Sequence, residues 1–90
     1  MGDPAAALET RRTFLVRAQA AEDALLRVLG PFAVQGARIL SLQAEQAGED
    51  MSIRIEAGGV SLDLANQLVE RLRGMPLVTQ VGVGWRVGPI

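Results

Sequence analysis

The middle of the chain reads RILSLQAEQAGEDMSIRIEA over residues 38–57. Apolar and polar residues alternate in both halves, which is typical of strands with one buried face. The predicted buried face of the first half carries Leu40, Leu42 and Ala44, and Ile39 falls on the polar face. The predicted buried face of the second half carries Met51, Ile53, Ile55 and Ala57. A Gly-Glu-Asp turn over residues 48–50 joins the halves, so the stretch predicts a β-hairpin.

Amphipathic helices are predicted on both sides of this hairpin. Residues 22–35 carry apolar side chains at helical spacing, namely Leu25, Val28, Leu29 and Phe32. Glu22 and Asp23 are expected in the first turn, and Gly36 follows the helix as a good C-terminal cap. Pro31 is expected to kink or end the helix near residue 30, because it lacks an N–H group.

The second helix is predicted to begin at Ser61, a favoured N-cap residue. Its expected apolar stripe consists of Leu62, Ala65, Leu68, Val69 and Leu72. Gly74 and Pro76 are expected to end it.

Two outer strands complete the pattern. Residues 12–19 place Phe14, Val16 and Ala18 on one side, with Leu15 as an apolar exception on the other. Residues 77–87 place four apolar residues on one side, namely Leu77, Val81, Val83 and Trp85. Gly82 and Gly84 fall on the opposite side, where they either weaken the strand or leave room for close approach of another backbone.

The order βαββαβ predicts an α+β, ferredoxin-like sandwich. Its four-stranded antiparallel sheet, in the order 4-1-3-2, has two helices on one face. We expect a flexible lead-in over residues 1–11 and a single domain over residues 12–88.

Composition excludes several kinds of chemistry. Neither cysteine nor histidine occurs among the 90 residues, which removes catalytic Cys–His and Ser–His pairs and the commonest zinc ligands. We therefore expect no metal site, no cofactor in this chain and no enzymatic activity of its own. The net charge of −1 offers no basic surface for nucleic acid. Because there is neither a signal peptide nor an apolar run of about 20 residues, we expect a cytoplasmic protein without a membrane span.

The role of the charged side chains on the polar face of the predicted sheet has two interpretations. Arg17, Arg54, Glu45 and Glu56 either pair with one another across strands on a solvated surface, or meet a larger partner. An RNA-binding face is not indicated, because Phe14, Phe32 and Trp85 are the only aromatic residues and Phe14 has core parity.

A longer stretch carries a family resemblance. Residues 23–42 read DALLRVLGPFAVQGARILSL, and they resemble the segment after the first strand in acetolactate synthase small subunits. The matching residues are Ala24, Leu25, Arg27, Val28, Gly30, Phe32, Gly36, Ile39, Ser41 and Leu42. The run from Gly36 to Leu42 is the more specific part. The length resembles the short small subunits, which consist of one ACT-like domain.

The resemblance implies a non-catalytic regulatory or activating subunit. Its partner would be the catalytic large subunit of a thiamine-diphosphate-dependent acetolactate synthase in branched-chain amino-acid biosynthesis, and an amino acid is a possible effector. The expected effector site, either intact or degenerate, comprises Ala20, Ala21, Glu22, Asp23, Ala24, Leu25, Arg38 and Ile39. ACT domains also imply a homodimer, with an expected pairing edge of Arg38, Ile39, Leu40, Ser41, Leu42, Gln43 and Glu45.

Three positions depart from the amino-acid-binding version of the family. Ala20 and Asp23 stand where an Asn and a Gly are usual in the first strand–helix loop, and Arg38 replaces the Asn that opens the second strand. We expect Asp23 to cap the helix amides itself and to repel a ligand carboxylate. The resemblance therefore implies weak or lost valine binding. Two alternatives remain, a free-standing ACT-like small-molecule sensor or dimerisation module and a purely structural interaction domain.

Overall fold

The fold follows the predicted order of elements. The computed structural model describes residues 10–87. Its elements are β1 (Thr10–Gln19), α1 (Ala24–Gln35), β2 (Arg38–Ala47), β3 (Asp50–Gly58), α2 (Leu62–Arg73) and β4 (Val78–Val87). The strands form one sheet in the order β2-β3-β1-β4, and all neighbours are antiparallel. The predicted α+β, ferredoxin-like sandwich is thus confirmed.

Some expectations concern residues beyond this range. Strand β1 begins at Thr10, two residues before the predicted start. The remainder of the expected lead-in, the side chain of Trp85 and residue 88 lie outside the described part of the chain. Between residues 10 and 87, neither helix has the length and apolar character needed to cross a membrane.

The core lies between the sheet and the two helices. Most of the predicted inward residues of the central strands are almost completely buried, namely Phe14, Val16 and Ala18 on β1 and Ile53, Ile55 and Ala57 on β3. Met51, the remaining predicted inward residue of β3, is half-buried. The ring of Phe14 meets that of Phe32 on α1 edge to face, with centroids 5.0 Å apart. Such pairs add to the free energy of apolar burial. The alternation in the sequence therefore identified the face of each central strand correctly.

Helix α1 differs from its prediction at two points. It begins at Ala24, so Glu22 and Asp23 precede it and its first turn holds no acid. It also continues past Gly30 and Pro31 to Gln35, so the early end expected at Pro31 is wrong. Pro31 is buried, and its packing offsets the lost backbone hydrogen bond.

Helix α1 ends as predicted at Gly36. This glycine has φ of 72°, a left-handed conformation that costs side-chain-bearing residues free energy. The amides of Gly36 and Ala37 donate to the carbonyls of Ala33 and Phe32, which is the hydrogen-bond pattern of a Schellman motif.

Helix α2 has the predicted cap. The amide of Leu64 donates to Ser61 Oγ at 3.1 Å. The expected place of Leu62 in the apolar stripe is wrong, because its side chain is 63% exposed. Val60, just before the cap, is buried instead, as is Ala65. Val60 and Ala65 occupy the two positions of a hydrophobic staple, so the core is closed at this helix end without Leu62.

Strand β2 contains an irregularity that the sequence did not reveal. Ile39 pairs with Ala57 and Ser41 pairs with Glu56, so Leu40 is an extra residue without a partner in β3. Because Ala57 faces the helices, Ile39 lies on the helix side of the sheet. The prediction that Ile39 shares the polar face with Ser41 is therefore wrong, since a bulge shifts the alternation by one residue.

Candidate functional site

The loop between β1 and α1 holds most of the expected effector site. The amide of Ala20 donates to the carbonyl of Glu49 at 2.8 Å, which ties the loop to the turn between β2 and β3. Ala24 is fully buried, Leu25 is half-buried, and Ala21 and Glu22 are exposed. The loop is thus anchored by its backbone and by Ala24, and it presents short side chains and two acids, Glu22 and Asp23, to solvent.

Asp23 does not act as expected. Within the described helix, its carboxylate caps none of the first-turn amides. Instead, Arg27 Nε donates to Asp23 Oδ2 at 2.7 Å, one helical turn away. The backbone of Asp23, at φ −102° and ψ 11°, departs from the extended conformation that directs a capping side chain back toward the helix. Asp23 therefore carries an anion beside the helix N-terminus that Arg27 partly neutralises.

Arg38 and Ile39, the remaining residues of the expected effector site, lie elsewhere in the same chain. Arg38 pairs with Gly58 at one end of the sheet, whereas Ala47 and Asp50 pair at the other end, next to the loop. The ten residues of β2 separate the two groups by roughly 30 Å. One copy of the chain does not bring the expected effector residues together.

The predicted pairing edge, by contrast, is continuous and accessible. Every residue of β2 is exposed. Ile39, Leu40 and Leu42 are 38–39% exposed although they are apolar. Among residues 10–87, β3 is the only strand that pairs with β2, so its other edge keeps unpaired backbone groups. This edge combines apolar side chains with hydrogen-bonding capacity.

The polar face of the sheet, opposite the helices, has a different character. Arg54 Nη2 lies 3.5 Å from Glu56 Oε2 on the same strand, and Arg11 Nη1 on β1 lies 4.0 Å from Glu56 Oε1. Arg54 and Glu56 thus pair along one strand and not across strands as expected, and the cross-strand partner of Glu56 is Arg11, to which the sequence assigned no role. A concavity of about 810 Å³ opens on this face, with Leu15, Arg17, Glu45, Arg54 and Gly82 among its lining residues. The apolar exception Leu15 was the sequence signal for it.

No metal site emerges within the described range. Across residues 10–87, acidic side chains form no group of three or more that could hold a metal ion.

Comparison with known proteins defines the family. Over residues 5–87 the sequence matches the family described as ACT-like domain. The chain belongs to this family. Domains of the ACT-like family are of the regulatory type, and the βαββαβ order and the strand order agree with this membership.

Two solved domains share the fold. The crystal structure of the ACT domain from GTP pyrophosphokinase of Chlorobium tepidum has a TM-score of 0.74 and 10% sequence identity, over 84% of this chain and 99% of that chain. The C-terminal domain of the MgtC protein from Mycobacterium tuberculosis has a TM-score of 0.66 and 16% identity, over 98% and 94%.

A third similar structure belongs to a larger enzyme. A formyltetrahydrofolate deformylase from Pseudomonas putida KT2440 has a TM-score of 0.59 and 10% identity, over 84% of this chain and 28% of that chain. At these identities the three likenesses concern the ACT-like fold alone. No curated protein matches the chain.

Proposed function

We propose that this ACT-like chain is a non-catalytic regulatory module that acts as a homodimer joined through its β2 edges. The observation that carries the proposal is the exposure of the whole of β2, including Ile39, Leu40 and Leu42. A second copy that pairs along this edge would satisfy the backbone groups and cover the apolar side chains. The result would be a continuous eight-stranded sheet.

Such pairing also gives the expected effector residues a way to meet. Two β2 strands related by a two-fold axis run antiparallel, so Arg38 of the second copy would lie near Ala47 of the first. Ala47 pairs with Asp50, and Asp50 pairs with Gln19, which leads into the loop of Ala20. The candidate effector site would therefore be shared between two copies.

For the regulated enzyme we propose a thiamine-diphosphate-dependent acetolactate synthase of branched-chain amino-acid biosynthesis. Support comes from the resemblance of residues 23–42 to its small subunits. In the structure this stretch forms α1 and the first half of β2, so the resemblance includes part of the proposed dimer edge. A cytoplasmic location follows from this role and is part of the proposal.

The direct test is reconstitution with the catalytic acetolactate synthase subunit encoded in the same genome. We expect the two chains to co-purify and the rate of acetolactate formation to rise when this chain is added. The chain alone, with cofactors supplied, should form no acetolactate. Absence of both association and activation would contradict the proposed enzyme, and acetolactate formation by the chain alone would contradict its non-catalytic role.

Valine should bind the wild-type chain weakly or not at all. Asp23 places an anion where a ligand carboxylate would approach the helix N-terminus, and the usual Asn and Gly are absent at positions 20 and 23. Calorimetry should show valine binding in the triple variant Ala20→Asn, Asp23→Gly, Arg38→Asn and much less in the parent. Micromolar binding by the parent would contradict this part of the proposal.

A free-standing ACT-like sensor or dimerisation module is the second candidate. It is favoured by the similarity of the whole fold to the ACT domain of a GTP pyrophosphokinase, which is covered over 99% of its length. This candidate predicts a homodimer that neither binds nor activates the catalytic subunit.

A further inference from the structure

Two oppositely charged residues stand near the two ends of the exposed β2 edge. Arg38 pairs with Gly58 of β3, and Glu45 pairs with Ser52. The β3 residues next to these partners point toward the helices, so Arg38 and Glu45 both lie on the opposite, polar face of the sheet. Within the described residues, the side chain of Glu45 has no ion-pair or hydrogen-bond partner. Its carboxylate is therefore available to a cation from another chain.

The bulge in β2 makes the two charges symmetric about Leu42. Along the chain, Leu42 is four residues after Arg38 but only three residues before Glu45. Leu40 takes no position in the ladder with β3, so each charge lies three pairing positions from Leu42. A two-fold axis that passes through Leu42 therefore exchanges the positions of Arg38 and Glu45.

Two-fold pairing of β2 with a second copy permits few registers. The axis is perpendicular to the sheet, so every side chain stays on its own face. Residues that stand directly opposite one another must also share a face. One residue therefore lies on the axis and faces its own counterpart in the second copy. Axes at Leu42 and at Gln43 both bring most of β2 into pairing.

An axis at Leu42 matches the opposing side chains by character. On the polar face, Arg38 stands opposite Glu45 of the second copy, and the symmetry creates this contact twice. On the helix face, Ile39 stands opposite Ala44, and Leu42 stands opposite itself. Apolar residues thus meet apolar residues, and each charge meets the opposite charge.

An axis at Gln43 matches them poorly. It places Arg38 opposite Ala47 and the exposed Ile39 opposite Gln46. Neither contact gives the cation a partner or covers the apolar side chain with another. Charge complementarity therefore favours the axis at Leu42.

We infer that Arg38 and Glu45 form two symmetric ion pairs between copies and set the register of the dimer, with Leu42 facing Leu42. The inference rests on the dimer of the proposed function and names the residues that specify it. Arg38 is exposed, and its guanidinium has five N–H donors, so it can bind a carboxylate of the second copy in addition to groups of its own chain. Arg38 is then a residue that determines the specificity of self-association.

Cysteine crosslinking measures the register. The chain has no cysteine of its own, so one introduced thiol reports one position. In the inferred register the two copies of residue 42 stand directly opposite, with Cα atoms about 5 Å apart, which a disulfide can bridge. The two copies of residue 43 lie on a diagonal, about 8 Å apart, which is too far. In oxidised glutathione, Leu42→Cys should become mostly covalent dimer and the matched variant Gln43→Cys should stay mostly single-chain.

Exchange of charges tests the ion pairs. Arg38→Glu and Glu45→Arg each create like charges at both contacts, and each should weaken self-association in sedimentation by about tenfold or more. An equimolar mixture of the two variants restores opposite charges at both contacts, so it should form a mixed dimer within about threefold of wild-type affinity.

Arg17→Glu is the matched control for Arg38→Glu. It makes the same change of net charge on the same face of the sheet, but on β1, which has a strand on each side. It should dimerise like the wild type. Melting curves establish that all variants fold.

The outcomes separate this inference from the proposed function. A wild-type chain that never self-associates would overturn both. The register would be wrong while the proposed dimer stands if Gln43→Cys crosslinks better than Leu42→Cys, or if the mixed charge variants associate no better than each variant alone. A wild-type dimer that neither cysteine variant crosslinks would place the interface away from the β2 edge and overturn the inference.

Discussion

Strands β2 and β3 lie side by side and carry the same alternation of apolar and polar residues, yet their environments differ completely. Ile53 and Ile55 of β3 are buried, whereas Leu42, the register partner of Ile55, is well exposed. Strand β3 has a strand on each side and helices over its apolar face, while β2 lies at the edge. Alternation therefore identifies the inward face of a strand, and only the neighbours determine how well that face is covered.

The largest expected effect is the difference in unfolding free energy between alanine substitutions at the register partners Ile55 and Leu42. Ile55→Ala removes a fully buried side chain and should lower the free energy of unfolding by about 2–5 kcal/mol. Leu42→Ala removes a side chain that is only partly covered, and in dilute protein it should cost less, about 1.5 kcal/mol. Urea denaturation at low micromolar concentration measures both. Equal losses in the two variants would show that the edge is as well covered as the centre.

A smaller effect concerns the backbone of the edge. Gln43→Pro removes an N–H group from β2, and if that group points outward it contributes to pairing with a second copy. Because both copies in the two-fold dimer lose the hydrogen bond, dimerisation should weaken by about tenfold to a hundredfold. Gln43→Ala is the control, because it shortens the same side chain and keeps the donor. Sedimentation measures the dimer dissociation constants of both variants, and identical constants would contradict strand pairing at this edge.

The smallest effects concern the residues that precede the two helices. Both residues fit the same sequence preference, but they make different contacts. Ser61 and Asp23 are both favoured N-cap residues, but only the side chain of Ser61 accepts a hydrogen bond from a backbone amide of the helix it precedes. Ser61→Ala should cost about 1 kcal/mol of unfolding free energy. Asp23→Ala loses only an exposed pair with Arg27 and should cost about 0.3–0.5 kcal/mol. Thermal melts compare the two, and a larger loss for Asp23→Ala would reverse the assignment.

Features set by local chemistry were predictable from the sequence. The inward residues of β1 and β3, the cap at Ser61 and the left-handed Gly36 all follow from periodicity or from conformational preference. The topology followed as well, since helix–hairpin–helix order leaves few ways to build one sheet.

Features set by long-range contacts were not predictable. The extra residue Leu40 depends on the register between β2 and β3, and the exposure of Leu62 depends on Val60 filling the core before the helix starts. The continuation of α1 through Pro31 depends on the packing around that residue.

The expected effector site was predictable only as two separate groups. The sequence resemblance named the loop at Ala20–Leu25 and the strand start at Arg38, but the distance between them follows from the register of the sheet. The concavity at Leu15 was indicated by one apolar residue out of phase. Gly82 on β4 also lines it, and the sequence could not place this residue opposite Leu15 without the register.

The central claim is that a second copy covers the β2 edge, and sedimentation of the wild-type chain over a range of concentrations tests it most directly. The account predicts a reversible, concentration-dependent rise in mass from the 9.6 kDa of one chain to twice that value. Leu42→Arg, which places a charge on the apolar part of the edge, should shift this equilibrium toward the single chain. A wild-type mass that stays at 9.6 kDa up to high micromolar concentration would contradict the account.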